Sequence, residues 1–223
     1  NFSPHDFKLK PSDMEKLKNA DVLVYVDESI ESFIERPLAT LSEDVKTIKI
    51  MGNARLSLLP IREGGVWEEE DHGDGHHHDH GDYDAHIWLS NKNVIKMTKF
   101  LISELSKINP DKKNIYKANA KVFINKVKAN AAKIRKDLDS VKDKPYIVFH
   151  DAYQYFETEN SLSSVGSIAL NPEISPTPNR IKEIKAKIEK DNVVCLFREP
   201  QFPSRVVQTV IADTNANEGE LDP

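Results

Sequence analysis

Cysteine is nearly absent from this 223-residue chain: Cys195 is the only one, so no disulfide can close within it. Long apolar runs are missing as well. A membrane-spanning helix needs about 20 consecutive apolar residues, and the longest candidates here, Val22–Val26 and Tyr146–Phe149, are strand-sized. Positive charge is not in excess. The 31 Lys and Arg residues face 36 Asp and Glu, for a net charge of −5. With no basic stripe to meet phosphates, no nucleic-acid partner is expected. The opening residues, Asn1 to His5, carry neither a charged start nor an apolar h-region, so no signal peptide is read there.

What is present supports a folded protein. Hydrophobic residues make up 39% of the chain, enough for a core in each of two lobes. Pro11-Ser12-Asp13 opens a helix through Ala20, with Ser12 or Asp13 able to cap it. Asp21–Val26 and Val45–Ile50 read as strands. Between them Ser29–Leu41 reads as helix, with Ile30, Phe33, Ile34 and Leu38 on one face. Residues 51–84 show no periodicity. His86–Leu89 reads as a short extended piece and Asn91–Ser106 as an amphipathic helix.

A long helical pattern runs from Asp111 to Val141 with no Gly or Pro inside. Its apolar positions are Ile115, Ala118, Val122, Val127, Ala131, Ile134, Leu138 and Val141. Thirty residues of helix span about 45 Å, more than one small lobe needs, so a rigid connector is expected. After Pro145 the alternation resumes. Strands are read at Tyr146–Phe149, Val165–Leu170 and Asn192–Phe197, and helices from Asp151, over Asn179–Lys190 and over Ser204–Ala212. Strands alternating with helices on both sides of a long helix predict an α/β fold. Two lobes, each with a mainly parallel sheet flanked by helices, are joined by one long rigid α-helix. The expected boundaries are 1–107 for the first lobe, 110–142 for the connector and 145–223 for the second lobe. Cys195, within Val193-Val194-Cys195-Leu196-Phe197, reads either as a buried small hydrophobe or as half of a disulfide with a partner outside these residues.

The eight histidines carry the chemistry. Five of them, His72, His76, His77, His78 and His80, fall in residues 68–82, with seven carboxylates, three glycines and no apolar residue. Such a segment cannot pack and is expected to be disordered. It reads as a solvated acidic loop or as a low-affinity metal collector, and the density of imidazole favours the second. Neutral imidazole suits Zn, Cu and Ni, and carboxylates add charge neutralisation. The other three are isolated, and each alone reads as a surface or capping residue; three of them beside a histidine-rich segment shift the reading toward ligands. His5 stands in Ser3-Pro4-His5-Asp6-Phe7, His86 in Asp84-Ala85-His86-Ile87-Trp88, and His150 ends the strand Tyr146–Phe149. In open α/β sheets ligands gather at the carboxyl ends of strands. Three imidazoles and a carboxylate make a tetrahedral zinc set.

At these residues the chain resembles the zinc-uptake solute-binding proteins of bacterial ABC importers, the ZnuA-type family. The resemblance rests on Ser3-Pro4-His5-Asp6-Phe7, Asp84-Ala85-His86-Ile87-Trp88-Leu89-Ser90, Phe149-His150-Asp151-Ala152-Tyr153, Tyr155-Phe156-Glu157, Asn171-Pro172-Glu173-Ile174-Ser175-Pro176 and Phe197-Arg198-Glu199-Pro200-Gln201-Phe202, in that order along nearly the whole chain. It implies an extracytoplasmic, periplasmic protein that binds Zn²⁺ in a cleft between the lobes. The membrane permease of an ABC importer is the expected partner, and a monomer without catalytic activity is expected. The family's ligand histidines match His5, His86 and His150, and its aspartate matches Asp222. A charged, histidine-rich loop is a feature of its zinc-specific members, whereas manganese members of the same cluster carry glutamate at the position of His150. Its opening strand and closing helix have no counterpart here, so both lobes are expected to be incomplete. Where members have a disulfide, the position of Cys195 pairs with a cysteine near the C-terminus.

Asp6, Asp151 and Glu199 are candidates to hold the outer nitrogens of the ligand histidines, because a ligating imidazole donates its other N–H to a carboxylate or carbonyl. Trp88, Tyr153 and Phe156 read as core residues or, second to that, as cleft lining. A metal-binding adhesin of the same family is the alternative function. A zinc hydrolase is a weaker rival: no His-Glu-x-x-His pattern is present, and Asp222 would fill the open position that catalysis requires.

Overall fold

The computed structural model describes residues 7–62, 82–169, 172, 175–212 and 214–223. The histidine-rich residues His72, His76, His77, His78 and His80, and the N-terminal candidates His5 and Asp6, lie outside them. The chain divides into two compact units, one comprising Phe2–Leu58 with Ser90–Lys133 and the other mainly Leu59–Leu89 with Ile134–Pro223. Of the described residues, 59–62 and 82–89 thus fall with the C-terminal unit, whereas the expected first lobe, 1–107, includes them.

The first unit opens with α1 (Pro11–Lys18). Asp13 stabilises its start by accepting a hydrogen bond from the Lys10 backbone N–H at 3.1 Å, and Pro11 occupies a position whose N–H has no helical partner anyway. Strands β1 (Val22–Tyr25) and β2 (Lys46–Lys49) pair in parallel. The helix expected over Ser29–Leu41 is shorter, a 3₁₀ turn at Ser32–Ile34 and then α2 (Glu35–Leu38). Pro37 is the reason. Its ring and missing N–H are tolerated only in a helix's first turn, so the helix starts two residues before it. Helix α3 (Asn91–Ile108) is capped by the Ser90 hydroxyl, which accepts from the Asn93 N–H at 2.9 Å. Asn93 is fully buried and pairs with both backbone groups of Ser57, at 2.9 and 3.0 Å. A buried amide is tolerated when satisfied in this way.

Helix α4 (Lys113–Leu138) has 26 residues and follows a 3₁₀ turn at Pro110–Lys112. Its inward stripe is Tyr116, Ala120, Ile124, Val127, Ala131, Ile134 and Leu138, while Ile115, Ala118 and Val122 are exposed. Two overlapping apolar rows exist along this helix, and packing selects one of them in its first half.

In the second unit a four-stranded parallel sheet has the order β4-β3-β5-β6. Its strands are β3 (Tyr146–His150), β4 (Ser164–Ala169), β5 (Cys195–Arg198) and β6 (Asn217–Glu220). Helices α5 (Gln154–Asn160), α6 (Pro178–Lys190) and α7 (Arg205–Ile211) connect them. The core joins Ile147, Phe149, Ile168, Ile184, Ile188, Val193, Leu196, Val207 and Val210. Strand β6 has no apolar residue to announce it. It is held by the parallel ladder to β5 and by Arg198 on β5, which pairs with Glu218 at 3.0 Å and with Glu220. Gly219 is required there, because a Cβ would meet the Phe197 ring at 2.6 Å. Cys195 is half-buried and free. No helix among the described residues is long and apolar enough to cross a membrane.

Candidate metal site

Parallel pairing aligns the carboxyl ends of β3, β5 and β6, and each delivers one candidate side chain. His150 is the last residue of β3, Glu199 follows β5, and Asp222 lies two residues beyond β6. His86 comes from the turn before a 3₁₀ segment at Ile87–Leu89, which replaces the extended piece expected over His86–Leu89. Ile87 is fully buried there, and a tight turn can bury it while the neighbouring imidazole faces the sheet edge.

His86 and His150 meet with their Nε2 atoms 3.4 Å apart and their ring planes inclined at 60°. Each Nδ1 is occupied by a carboxylate. Asp84 Oδ1 lies 2.7 Å from His86 Nδ1 and also accepts from the His86 backbone N–H at 2.9 Å. Glu199 Oε1 lies 2.6 Å from His150 Nδ1. A neutral imidazole that donates from Nδ1 presents a lone pair at Nε2. Two such lone pairs facing each other repel, unless a cation sits between them.

Burial sets the protonation. His150 is 3% exposed, and desolvation, with a smaller push from His86, lowers its pKa to about 3 despite the opposing charge of Asp84. The ring is therefore neutral near pH 7, the form that binds metal. Burial pushes Glu199 up to about 8, with Asp222 adding to the rise. Asp222 also raises Tyr153, where burial is the larger cause. These effects put the Asp222 charge in the electrostatic neighbourhood of the pair, and its Oδ1 accepts from the Gln201 amide. Among the described residues, no group of three or more His, Cys, Asp or Glu is arranged to hold a metal ion. What the fold brings together is the pair.

Of the outer-nitrogen candidates, Glu199 contacts a histidine and Asp151 does not. Asp151 faces the Arg62 guanidinium at 3.5 Å, and burial raises its pKa to about 7 against the pull of that arginine. Asp6 lies outside the described residues. Asp84 was missed in the sequence reading, although its spacing of two residues before His86 is a local signal for an acid that folds back on a turn. Trp88 is not simply core: its ring meets His86 edge-on, with centroids 5.3 Å apart. Tyr153 is buried, and with Phe156, Phe197, Leu221 and Asp222 it lines a cavity of about 490 Å³.

Parallel α/β units, a long helix, and two carboxylate-held imidazoles at the carboxyl end of a sheet make an α/β protein with side-chain chemistry suited to a transition-metal cation. Comparison with known proteins is more specific. The family described as "Zinc-uptake complex component A periplasmic" matches residues 1–223. A high-affinity zinc uptake system protein ZnuA from Brucella abortus (strain 2308) is 37% identical over 247 residues, covering 99% of this chain and 74% of its own length. Its counterpart from Yersinia pestis is 34% identical over 232 residues, covering 99% and 73%. A crystal structure of ZnuA superposes with a TM-score of 0.83 at 22% identity, covering all of this chain and 79% of that one. The chain belongs to the periplasmic zinc-uptake component A family.

Proposed function

We propose that this chain captures Zn²⁺ outside the cytoplasm and delivers it to the permease of an ABC importer, as a monomer and without catalysis. One observation carries the reading of the site: the 3.4 Å between His86 Nε2 and His150 Nε2. Two nitrogens each about 2.0–2.1 Å from one zinc, at a tetrahedral angle, are about 3.3 Å apart. The pair is spaced as one edge of a zinc tetrahedron, with both outer nitrogens already turned toward carboxylates.

His5 and Asp222, matched to the family's motifs, supply the remaining ligands in this reading. Three imidazoles and one carboxylate favour zinc over manganese, which prefers more oxygen donors. Four protein ligands leave no open position for a reactive water, which is why no turnover is expected. Calorimetric titration with Zn²⁺ tests the assignment. His86→Ala and His150→Ala should each abolish the tightest binding phase. Unchanged affinity in either variant refutes the site.

A further inference from the structure

His86 and His150 are 64 residues apart in sequence, yet their spacing must be held to a fraction of an ångström for one cation to bridge them. Their own side chains cannot set it, because two facing Nε2 lone pairs do not attract. Tyr155, five residues after His150 and 3% exposed, donates its hydroxyl proton to the Asp84 carbonyl at 2.7 Å. The Tyr155 hydroxyl oxygen in turn accepts from the Leu59 N–H at 3.1 Å. Asp84 is the residue whose carboxylate holds both the backbone N–H and the Nδ1 of His86.

The two stretches of chain that Tyr155 touches are also joined to each other. Asp84 N–H donates to the Leu59 carbonyl at 2.9 Å, and Pro60 bridges Tyr83 in antiparallel fashion. A second tie runs beside the first. Arg62 pairs with Glu157 on α5 and approaches Asp151, the neighbour of His150, at 3.5 Å. Glu157 is itself 4% exposed and also accepts from the Tyr146 hydroxyl at 3.3 Å.

We infer that Tyr155 is a positioning residue for metal capture: its hydroxyl, seconded by Arg62, locks the turn carrying Asp84 and His86 onto α5, the helix that follows His150 at the end of β3, and so sets the spacing of the imidazole pair. This inference rests on the zinc site proposed above. Tyr155 touches no ligand atom and acts through Asp84. Its ring packs as phenylalanine would; only the hydroxyl is specific.

The test is Tyr155→Phe in the full chain, titrated with Zn²⁺ and examined with Co²⁺ as a spectroscopic probe. Outer partners of metal ligands are worth about 10–100-fold in affinity, and a loss of at least about tenfold is expected here. The cobalt ligand-field bands should shift, because the ligand geometry relaxes. Val210→Ala, which opens a cavity in the core of the same unit, is the control for general loosening. It should lower the melting temperature while leaving affinity and cobalt bands unchanged. Wild-type affinity and bands in Tyr155→Phe overturn the inference, as does an equal affinity loss and band shift in Val210→Ala. If Tyr155→Phe does not fold, Arg62→Lys tests the second tie, since one ammonium cannot span both carboxylates; unchanged zinc affinity there overturns the inference too. His150→Ala, run alongside, separates the two levels. If it keeps full affinity the site itself is wrong. If it loses affinity while Tyr155→Phe does not, only the positioning role falls.

Discussion

Replacing Glu199 with glutamine isolates the electrostatic contribution of a carboxylate that touches no metal. Glu199 is 2% exposed, and its Oε1 lies 2.6 Å from His150 Nδ1. A zinc on Nε2 of the same ring would lie about 6 Å from that oxygen, given a bond of about 2.0–2.1 Å. With one ligand carboxylate already bound, the ion's effective charge is about +1. At an effective dielectric of about 20, its attraction to Glu199 is then about 3 kcal/mol. Against this stands the proton. Burial holds the Glu199 pKa at about 8, so at pH 7 removing the proton costs about 1.4 kcal/mol. The net contribution is about 1–2 kcal/mol, or roughly a tenfold change in affinity, at the lower end of what such outer partners supply. Glutamine keeps an oxygen to accept from Nδ1, so the tautomer survives and the charge alone is lost.

The sign of the pH dependence follows. Zinc binding to the wild type expels a proton from Glu199, so affinity rises with pH up to about 8 and then levels. Glu199→Gln has no such proton and should bind about tenfold more weakly at pH 7 and about 100-fold more weakly above pH 8, with a flatter profile between pH 6 and 8. Competition titrations against a chelator across that range measure both. Wild-type affinity with an unchanged slope would refute the reasoning.

Other expectations follow from the same structure. His150→Glu should move selectivity toward manganese, since it trades an imidazole for oxygen donors; paired zinc and manganese titrations decide it, and an unchanged ratio counts against the ligand assignment. A chain lacking residues 68–82 should keep its tightest zinc site and lose the binding that disappears first between about pH 7 and 5.5, because the ordinary imidazole pKa is near 6.5 and protons compete there with metal; loss of the tightest site on deletion contradicts this. Lys49 lies 2.8 Å from Asp27 and also pairs with Glu28. Burial raises both carboxyl pKa values, but hydrogen bonds, Lys49 foremost, outweigh it and leave them lowered. Their contribution is therefore present above about pH 4.5 and lost as the pH falls through their lowered values; Lys49→Met should cost about 1 kcal/mol at pH 7 and flatten the acid limb of a denaturation series. Leu196→Ala, at a fully buried position, should cost about 2–5 kcal/mol in urea melts, and a cost below 1 kcal/mol would place the core elsewhere.

Alternation of apolar strands with amphipathic helices was enough to read an α/β chain with parallel sheets and a long helix, because period and length are local properties. The position of His150 was legible for the same reason: it ends an apolar strand, and parallel strands expose their carboxyl ends. Strand β6 was not legible. Asn217-Glu218-Gly219-Glu220 has no hydrophobic signal, and it forms a strand only because β5 offers a ladder, with Arg198 to neutralise two glutamates and Phe197 to demand a glycine. The inward stripe of α4 was ambiguous because its sequence carries two apolar rows. Residue types named imidazoles and carboxylates as candidates, but could not pair them. That Glu199 serves His150 across 49 residues while Asp84 serves His86 across two, and that Asp151 turns to Arg62 instead, depends on which backbone segments the sheet and its flanking turns bring together. Side-chain chemistry is written in the sequence, whereas distances of 3 Å between residues far apart in the chain exist only once the core has packed.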